Sequence, residues 1–451
     1  MDPTDGLPIP QRRWAIFCMI LTLTLTVLDS SLVNVALPTI AHDLEVSAST
    51  AIWVINAYQL ALIMTLLPLA SLGDGHGYRR IFIGGLVIYT GAALISLTAT
   101  SLPMLIFGRV LQGIGASGIF SVNSAILRYV YPRAWLGRGI GVNAFVIATS
   151  SAFGPTVAGA VLSFASWHWL FGLSLPLGLI ALATTTNLPE SNRSRHRFDY
   201  ASAFLNACTF GLFILGLGSV ARGGIIGYAE LGGAVVAGAL LVLRQLTRPF
   251  PLLPVDLLKL PLFAVAAGTS VCSYIAFMVA YVALPFHFAH VLGRSPVETG
   301  MLMTPWPLLT GMVGPISGWL SERHSSAFLC ASGLTGFALS LLLLTLMPAS
   351  ASNLDIAWRM ALAGASWAVF QAPNNRAMIN SAPRERSGGA SGILGTARTL
   401  GLTTGASVAA FIFHLWPDTG TVAALAVGAA VSIAAAAVSL LRGAARAPSS
   451  G

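Results

Sequence analysis

Asp29 sits in the stretch TVLDSSLVNVALP, Thr26 to Pro38, inside an otherwise apolar run. Of fifteen acidic residues it is the only one that falls deep in such a run, with Glu230 its nearest rival. A carboxylate away from water is costly when ionised, so burial favours the protonated form, whereas a nearby cation favours the charged form. A carboxyl that changes environment between two conformations therefore takes up a proton on one side and releases it on the other. Arg109, in the apolar run near 103–125, is the natural counter-charge and would tune or relay that proton. The bland alternatives are a carboxylate bonding helix backbone near Asn34 and an arginine tying two helices together. Other reactive groupings are sparse. His287 and His290, spaced i and i+3, could face one way as a metal pair, but no further ligand lies near and no metal is expected. No Gly-Lys-Ser/Thr phosphate loop occurs, which disfavours an ATP-driven pump. The apolar runs hold no paired acids and no nucleophile beside a base, which argues against an enzyme.

The elements that must hold Asp29 are set by composition. The 451 residues are 55% hydrophobic and 9% charged, with a mean hydropathy of +0.79, whereas soluble chains carry roughly a quarter charged residues. Apolar runs of about 20 residues, long enough to cross roughly 30 Å of hydrocarbon as helices, recur throughout. Strict alternation of apolar and polar residues is missing, so a barrel is excluded and an all-α integral membrane protein is expected. Runs fall near 14–37, 51–71, 81–99, 103–125, 139–163 and 169–188, then 200–220 and 225–243, then 262–289, 299–320, 327–347, 355–378, 389–413 and 420–441. These about fourteen spans divide the chain into a tail at 1–13, a six-helix bundle at 14–188, a linker with two extra helices at 189–261, a second six-helix bundle at 262–441 and a tail at 442–451. The first run outlasts a signal-peptide core and reads as an uncleaved span. Cys18, Cys208, Cys272 and Cys330 share no close spacing and read as packing residues.

Charge tests that count. With both ends inside, arginine and lysine should occupy alternate loops. They do, from Arg12 and Arg13 through Arg79, Arg80, Arg193, Arg248, Lys259 and Arg384 to Arg446, and only Arg222 and Arg294 fall clearly on the other side. The net charge of +9 is therefore a topology signal rather than a nucleic-acid footprint. Both tails are expected in the cytoplasm, with the protein crossing the inner (plasma) membrane.

An internal repeat runs through the chain. VALP occurs at Val35–Pro38 and at Val282–Pro285, LGDGHG from Leu72 has a weak partner in LSERHS from Leu320, Arg109 pairs with Arg359 and Phe120 with Phe370, at offsets of 247 to 250. Matches in the same order indicate two parallel halves with a shared cavity at their interface. Alternating access would rock one half on the other. Arg359 and Arg398, in the second half without a deep acid beside them, suit hydrogen bonding toward the cavity.

Four motifs resemble the major facilitator superfamily, specifically its fourteen-span drug:proton antiporter family, over essentially the whole length. LDSSLVNVALP resembles the first-helix signature, and RVLQGIGASG, Arg109 to Gly118, the fourth-helix pattern. ASLGDGHGYRR, Ala70 to Arg80, is similar to the superfamily's loop motif; Ala70, Gly75 and Tyr78 depart from it while Asp74, Gly77, Arg79 and Arg80 remain. SSAFGPTVAGA is similar to the antiporter motif, with Gly154, Pro155 and Gly159 kept and Ser150 and Ala160 in place of glycine. The resemblance implies that Asp74, Gly77, Arg79 and Arg80 form a cytoplasmic gate and that the Gly-Pro stretch shapes the antiporter cavity. It also implies export of small amphipathic compounds in exchange for protons, the gradient serving as energy source without a cofactor. A dedicated metabolite or siderophore transporter is the runner-up, and a passive channel the rival from another class.

Physical chemistry alone offers pocket candidates. Asn34, Tyr58, Gln59, Asn123, Asn143, Tyr274, Phe277, Tyr281, Trp306, Gln371 and Asn374 could line an amphipathic cavity, because aromatic faces accept bulky cations and amides supply adaptable hydrogen bonds. Gly113, Gly115 and Gly118 let helices approach closely, and Pro305, Trp306 and Pro307 should bend their span. Trp14, Trp53, Trp167, Trp169 and Trp416 read as interfacial anchors.

Overall fold

The computed structural model describes residues 6–191, 198–221, 223–248, 251–348, 350–383 and 386–444, and among these there is no strand. Each expected run coincides with a helix. They are α1 (Ile9–Asp43), α2 (Ala48–His76), α3 (Tyr78–Leu97), α4 (Leu102–Val130), α5 (Leu136–Phe164), α6 (His168–Asn187), α7 (Tyr200–Ala221), α8 (Ile226–Thr247), α9 (Pro261–Val291), α10 (296–323), α11 (Ser326–Thr345), α12 (Asn353–Ser381), α13 (Ser387–Leu415) and α14 (Gly420–Ala444). Eleven have the length and apolarity to cross a membrane; α10, α12 and α13 fall short, as their charged, small and hydroxyl residues predict. Several helices outrun the apolar segment. α4 continues to Val130 and α1 begins at Ile9, because the helical backbone stays satisfied where the chain leaves hydrocarbon. Arg193, Arg222, Arg384 and Arg446 lie outside the described residues.

Local chemistry ends the helices. Between α2 and α3, Gly77 takes φ of +99°, a conformation that side chains oppose and glycine permits. Ser295 and Glu298 form a capping box that starts α10. Pro305 then interrupts that helix after Met303, the bend expected from sequence.

α1–α6 pack into one bundle and α9–α14 into another. They meet along three lines: α1 against α9 at the centre, α5 against α10 on one flank, and α2 against α13 on the other. The repeat explains this. Asn34 donates its amide to the Tyr281 carbonyl at 2.7 Å, and these residues are one repeat offset apart, so the contact sits on the pseudo-two-fold axis. α7 and α8 pair with each other, and α7 lies over the α2–α13 seam. Only 28% and 22% of their apolar windows is buried, against 61% for α2 and α4, so the inserted pair is peripheral.

The core is distributed unevenly along the axis. At the end remote from the basic loops one cluster is continuous across both bundles, joining Leu37 and Ile40 of α1 to Leu284 and Phe288 of α9 and Leu302 of α10. At the basic end each bundle has its own core, one around Phe82, Tyr89 and Ile126 and the other around Phe263, Met378 and Ile393. The halves are thus fused at one end and separate at the other.

Candidate functional site

Asp29 and Arg109 meet inside the first bundle. Arg109 Nη1 lies 2.6 Å from Asp29 Oδ2, and both side chains are 1% exposed. The guanidinium also donates to the Val54 carbonyl at 3.2 Å and to Gln112 Oε1 at 2.8 Å, and lies over the Tyr58 ring at 4.4 Å from its centroid. α1, α2 and α4 all contribute. α4 can come this close because Gly113, Gly115 and Gly118 oppose backbone of α2 and α3, where a Cβ on Gly118 would stand 2.9 Å from the Gly85 Cα. Asp29 Oδ1, by contrast, has no hydrogen-bond partner. One carboxylate oxygen is paired with the guanidinium and the other is an unmet acceptor.

Arg109 forms part of the wall of a cavity of about 2070 Å³ between the bundles. Asp29 itself is not in the wall and sits behind the arginine. The cavity runs from the midplane to the basic end, where Asp74, Tyr78, Arg248, Asp256 and Arg386 border it, and the fused core closes the other end. Segment 251–259 crosses this mouth, tied down by Leu253 N donating to Gln245 Oε1 at 3.2 Å and by an Asp256–Arg386 ion pair at 2.8 Å.

Of the pocket residues expected from sequence, Asn34, Tyr58, Gln59, Tyr274, Phe277, Tyr281, Trp306 and Gln371 border the cavity. Asn123, Asn143 and Asn374 do not. Asn123 is buried and outside the wall; Asn374 donates to Ser270 Oγ at 2.7 Å and ties α12 to α9, leaving its neighbour Asn375 to face the cavity. Arg359 is also off the cavity, paired with Asp355 at 2.9 Å one turn away, whereas Arg398 borders it as expected. Trp167 is no interfacial anchor: it is 1% exposed and donates to Asp43 Oδ2 at 2.7 Å. His287 bonds Thr421 Oγ1 at 3.1 Å and is buried, while His290 is exposed, so the two share no face.

The second bundle supplies an aromatic wall that sequence indicated only in part. Phe277 lies within 5.3 Å, centroid to centroid, of Tyr281, Trp306 and Trp367, and Trp367 continues to Tyr274 at 5.2 Å. Trp367 escaped the sequence reading because nothing distinguishes its face of α12.

The remaining motifs occupy opposite ends. At the basic end Asp74 accepts a hydrogen bond from the Tyr78 hydroxyl at 2.7 Å, Arg79 donates to the Thr186 carbonyl at 3.1 Å, and Arg80 is exposed. All these bonds stay within the first bundle. Pro155 and Gly159 face α10 directly: a Cβ on Gly159 would come within 2.9 Å of the Pro296 carbonyl, and one on Gly300 would run into the Pro155 carbonyl. Gly154 similarly leaves room for Ser31 of α1. The Gly-Pro stretch therefore closes the α5–α10 seam.

Two pseudo-symmetric helical bundles around a cavity open at one end define a membrane transporter of the two-half type. The chain belongs to the major facilitator superfamily, whose family model matches residues 19–406 and 266–450. It is 49% identical to the uncharacterized transporter YebQ of Escherichia coli (strain K12), covering 97% of each chain. Identity is 27% to the riboflavin transporter RibZ of Clostridioides difficile (strain 630), over 88% of this chain and 87% of RibZ. It is also 27% to the multidrug efflux pump LfrA of Mycolicibacterium smegmatis, over 94% and 88%. A solved bacterial homologue of the human lysosomal transporter Spinster, in an inward-facing and unoccupied conformation, shares the fold with a TM-score of 0.67 at 14% identity, over 97% of this chain and 96% of that one. The protein is thus a transporter, not an enzyme, that works in a lipid bilayer on a small-molecule substrate.

Proposed function

We propose that the protein is a fourteen-span drug:proton antiporter that exports small amphipathic compounds by alternating access. The observation that carries this reading is the buried Asp29–Arg109 pair beside a cavity open at one end only. Protonation at the unmet Asp29 Oδ1 removes the negative charge that holds Arg109, so proton occupancy alters the cavity wall directly. The basic end is cytoplasmic by the positive-inside rule, with both tails there, and the conformation faces inward. Asp74, Gly77, Arg79 and Arg80 gate that mouth when the bundles approach, and Gly154, Pro155 and Gly159 seal the far side. The proton gradient suffices as energy source, since one charge crossing 100 mV is worth about 2.3 kcal/mol, more than a tenfold gradient at about 1.4 kcal/mol.

The test is substrate-coupled proton flux in reconstituted vesicles. Asp29→Asn should still insert, at reduced stability because Arg109 loses its partner, yet lose proton-coupled export, and Asp29→Glu should retain part of it. Full activity in the Asn variant removes Asp29 from the mechanism. The 27% identity to a riboflavin transporter supports a second reading, a dedicated metabolite carrier. A growth-inhibition panel of diverse toxins in a pump-deficient host separates the two, since only a multidrug exporter protects against several of them.

A further inference from the structure

We infer that the cargo carries an anionic group, bound by Arg398 against the Tyr274 ring at the end of the aromatic wall. The inference rests on the transport reading and adds the chemical class of what is transported. Arg398 lies about three turns into α13 from the basic end and borders the cavity, its guanidinium carbon 5.9 Å from the Tyr274 centroid.

The charges around the cavity identify its place. Arg109 is neutralised by Asp29, and at the mouth Arg248 and Arg386 are paired with Asp199 and Asp256. Asp74 and Lys259 border only the mouth. Among the described residues Arg398 has no carboxylate within ion-pair distance, so the deep cavity holds one uncompensated positive charge.

Two polar groups in the row of rings offer free donors. Tyr274 Oη accepts from Gln371 Nε2 at 2.9 Å, which leaves its own proton to be donated elsewhere. Trp306 borders the cavity, is 1% exposed, and keeps a buried indole N–H without an acceptor. Guanidinium, phenol and indole are all donors, spaced along one row of rings. An organic anion with a flat ring system satisfies them: its charge meets Arg398 and Tyr274, and its body lies on Phe277 and Trp367. A lipophilic cation would find the Tyr274 face already beside a guanidinium and would be repelled by it. The cavity exceeds the usual 300–1,000 Å³ of ligand sites, so a multi-ring molecule fits.

Fluorescein and rhodamine 123 share a xanthene ring system and differ in charge, which makes them suitable probes. Fluorescence anisotropy of each dye is titrated with the purified full-length protein in nanodiscs at about pH 8, where carboxylates are ionised. Fluorescein should saturate with at least about tenfold higher affinity than rhodamine 123. Arg398→Gln should weaken fluorescein about tenfold or more and leave rhodamine 123 unchanged or tighter, with Arg398→Lys intermediate. Equal or stronger binding of rhodamine 123, fluorescein affinity unaffected by Arg398→Gln, or failure of both dyes to saturate overturns the inference. If Arg398→Gln does not fold, the comparison of dyes on the unaltered protein and the Arg398→Lys titration still decide. Binding is read without a pH gradient, so a missing proton flux in vesicles would count against exchange while leaving this result intact.

Discussion

At the scale of single residues, the Asp29–Arg109 pair is stable only as a pair. Removing one member of a buried ion pair leaves an unpaired charge, at a cost of about 3–5 kcal/mol, whereas removing both is often neutral. Arg109→Gln should therefore lower the thermal unfolding midpoint in detergent sharply, and adding Asp29→Asn to it should recover most of the loss. A double variant no more stable than the single would show that Arg109 holds the bundle through the Val54 carbonyl and Gln112 rather than through the carboxylate. Both members of this pair were legible in the sequence, because a charge in an apolar run is conspicuous whatever surrounds it. The amides were legible only in part: Asn34, Gln59 and Gln371 border the cavity, while Asn123, Asn143 and Asn374 do not. Asn374 and Asn375 are adjacent on α12, yet one ties helices and the other borders the cavity, since in a bilayer the lipid-facing, packed and cavity-facing sides of a helix can all be apolar. For the same reason Trp367 gave no signal.

At the scale of elements, the closest glycine approach between the two bundles is that of α5 to α10. Gly300→Ala puts a methyl group against the Pro155 carbonyl and should cost about 1–3 kcal/mol by overpacking, most of it in the conformation closed at this end. The expected result is normal insertion with greater reactivity, toward a membrane-impermeant thiol reagent, of a cysteine introduced at Val297. Unchanged reactivity would mean that the seam accommodates the methyl elsewhere. The sequence announced the Gly-Pro half of this joint through its motif, but not Gly300, because an isolated glycine in an apolar run has many uses. The inserted pair α7–α8 is fastened differently. Asp199, just before α7, is 2.8 Å from Arg244 near the end of α8. Partial burial pushes the Asp199 carboxyl up, but hydrogen bonds from Arg244 and Ser202 outweigh this and bring it down from 3.8 to about 2. The clamp is therefore complete above the ordinary carboxylate range and is lost as pH falls toward about 2, so Asp199→Asn should lose about 1 kcal/mol at neutral pH once solvent screening is allowed for. The difference between variant and parent should shrink on acidification; a constant difference would exclude the ion pair as its source.

At the scale of the whole molecule, the repeat predicted two bundles and an interface, and the split of the core shows which end is joined. Accessibility tests that asymmetry. In a background without the four native cysteines, a cysteine at Ser71, on the cavity wall near the basic mouth, should react readily with an impermeant thiol reagent from that side. One at Leu37 in the fused core should not react from either. Equal labelling at both positions would contradict a cavity open at one end.

The Asn34–Tyr281 contact has a mechanical consequence. Lying on the pseudo-two-fold axis, it is displaced least when the bundles tilt in opposite senses, which makes it the fulcrum of that motion. α1 runs about 38 Å from there to Ile9, so turning a bundle by about 10° sweeps this long lever arm through roughly 6–7 Å at its tip. The short arm beyond Asn34 moves far less, so a small parting of glycine-lined backbone at one end is geared to a wide swing at the other.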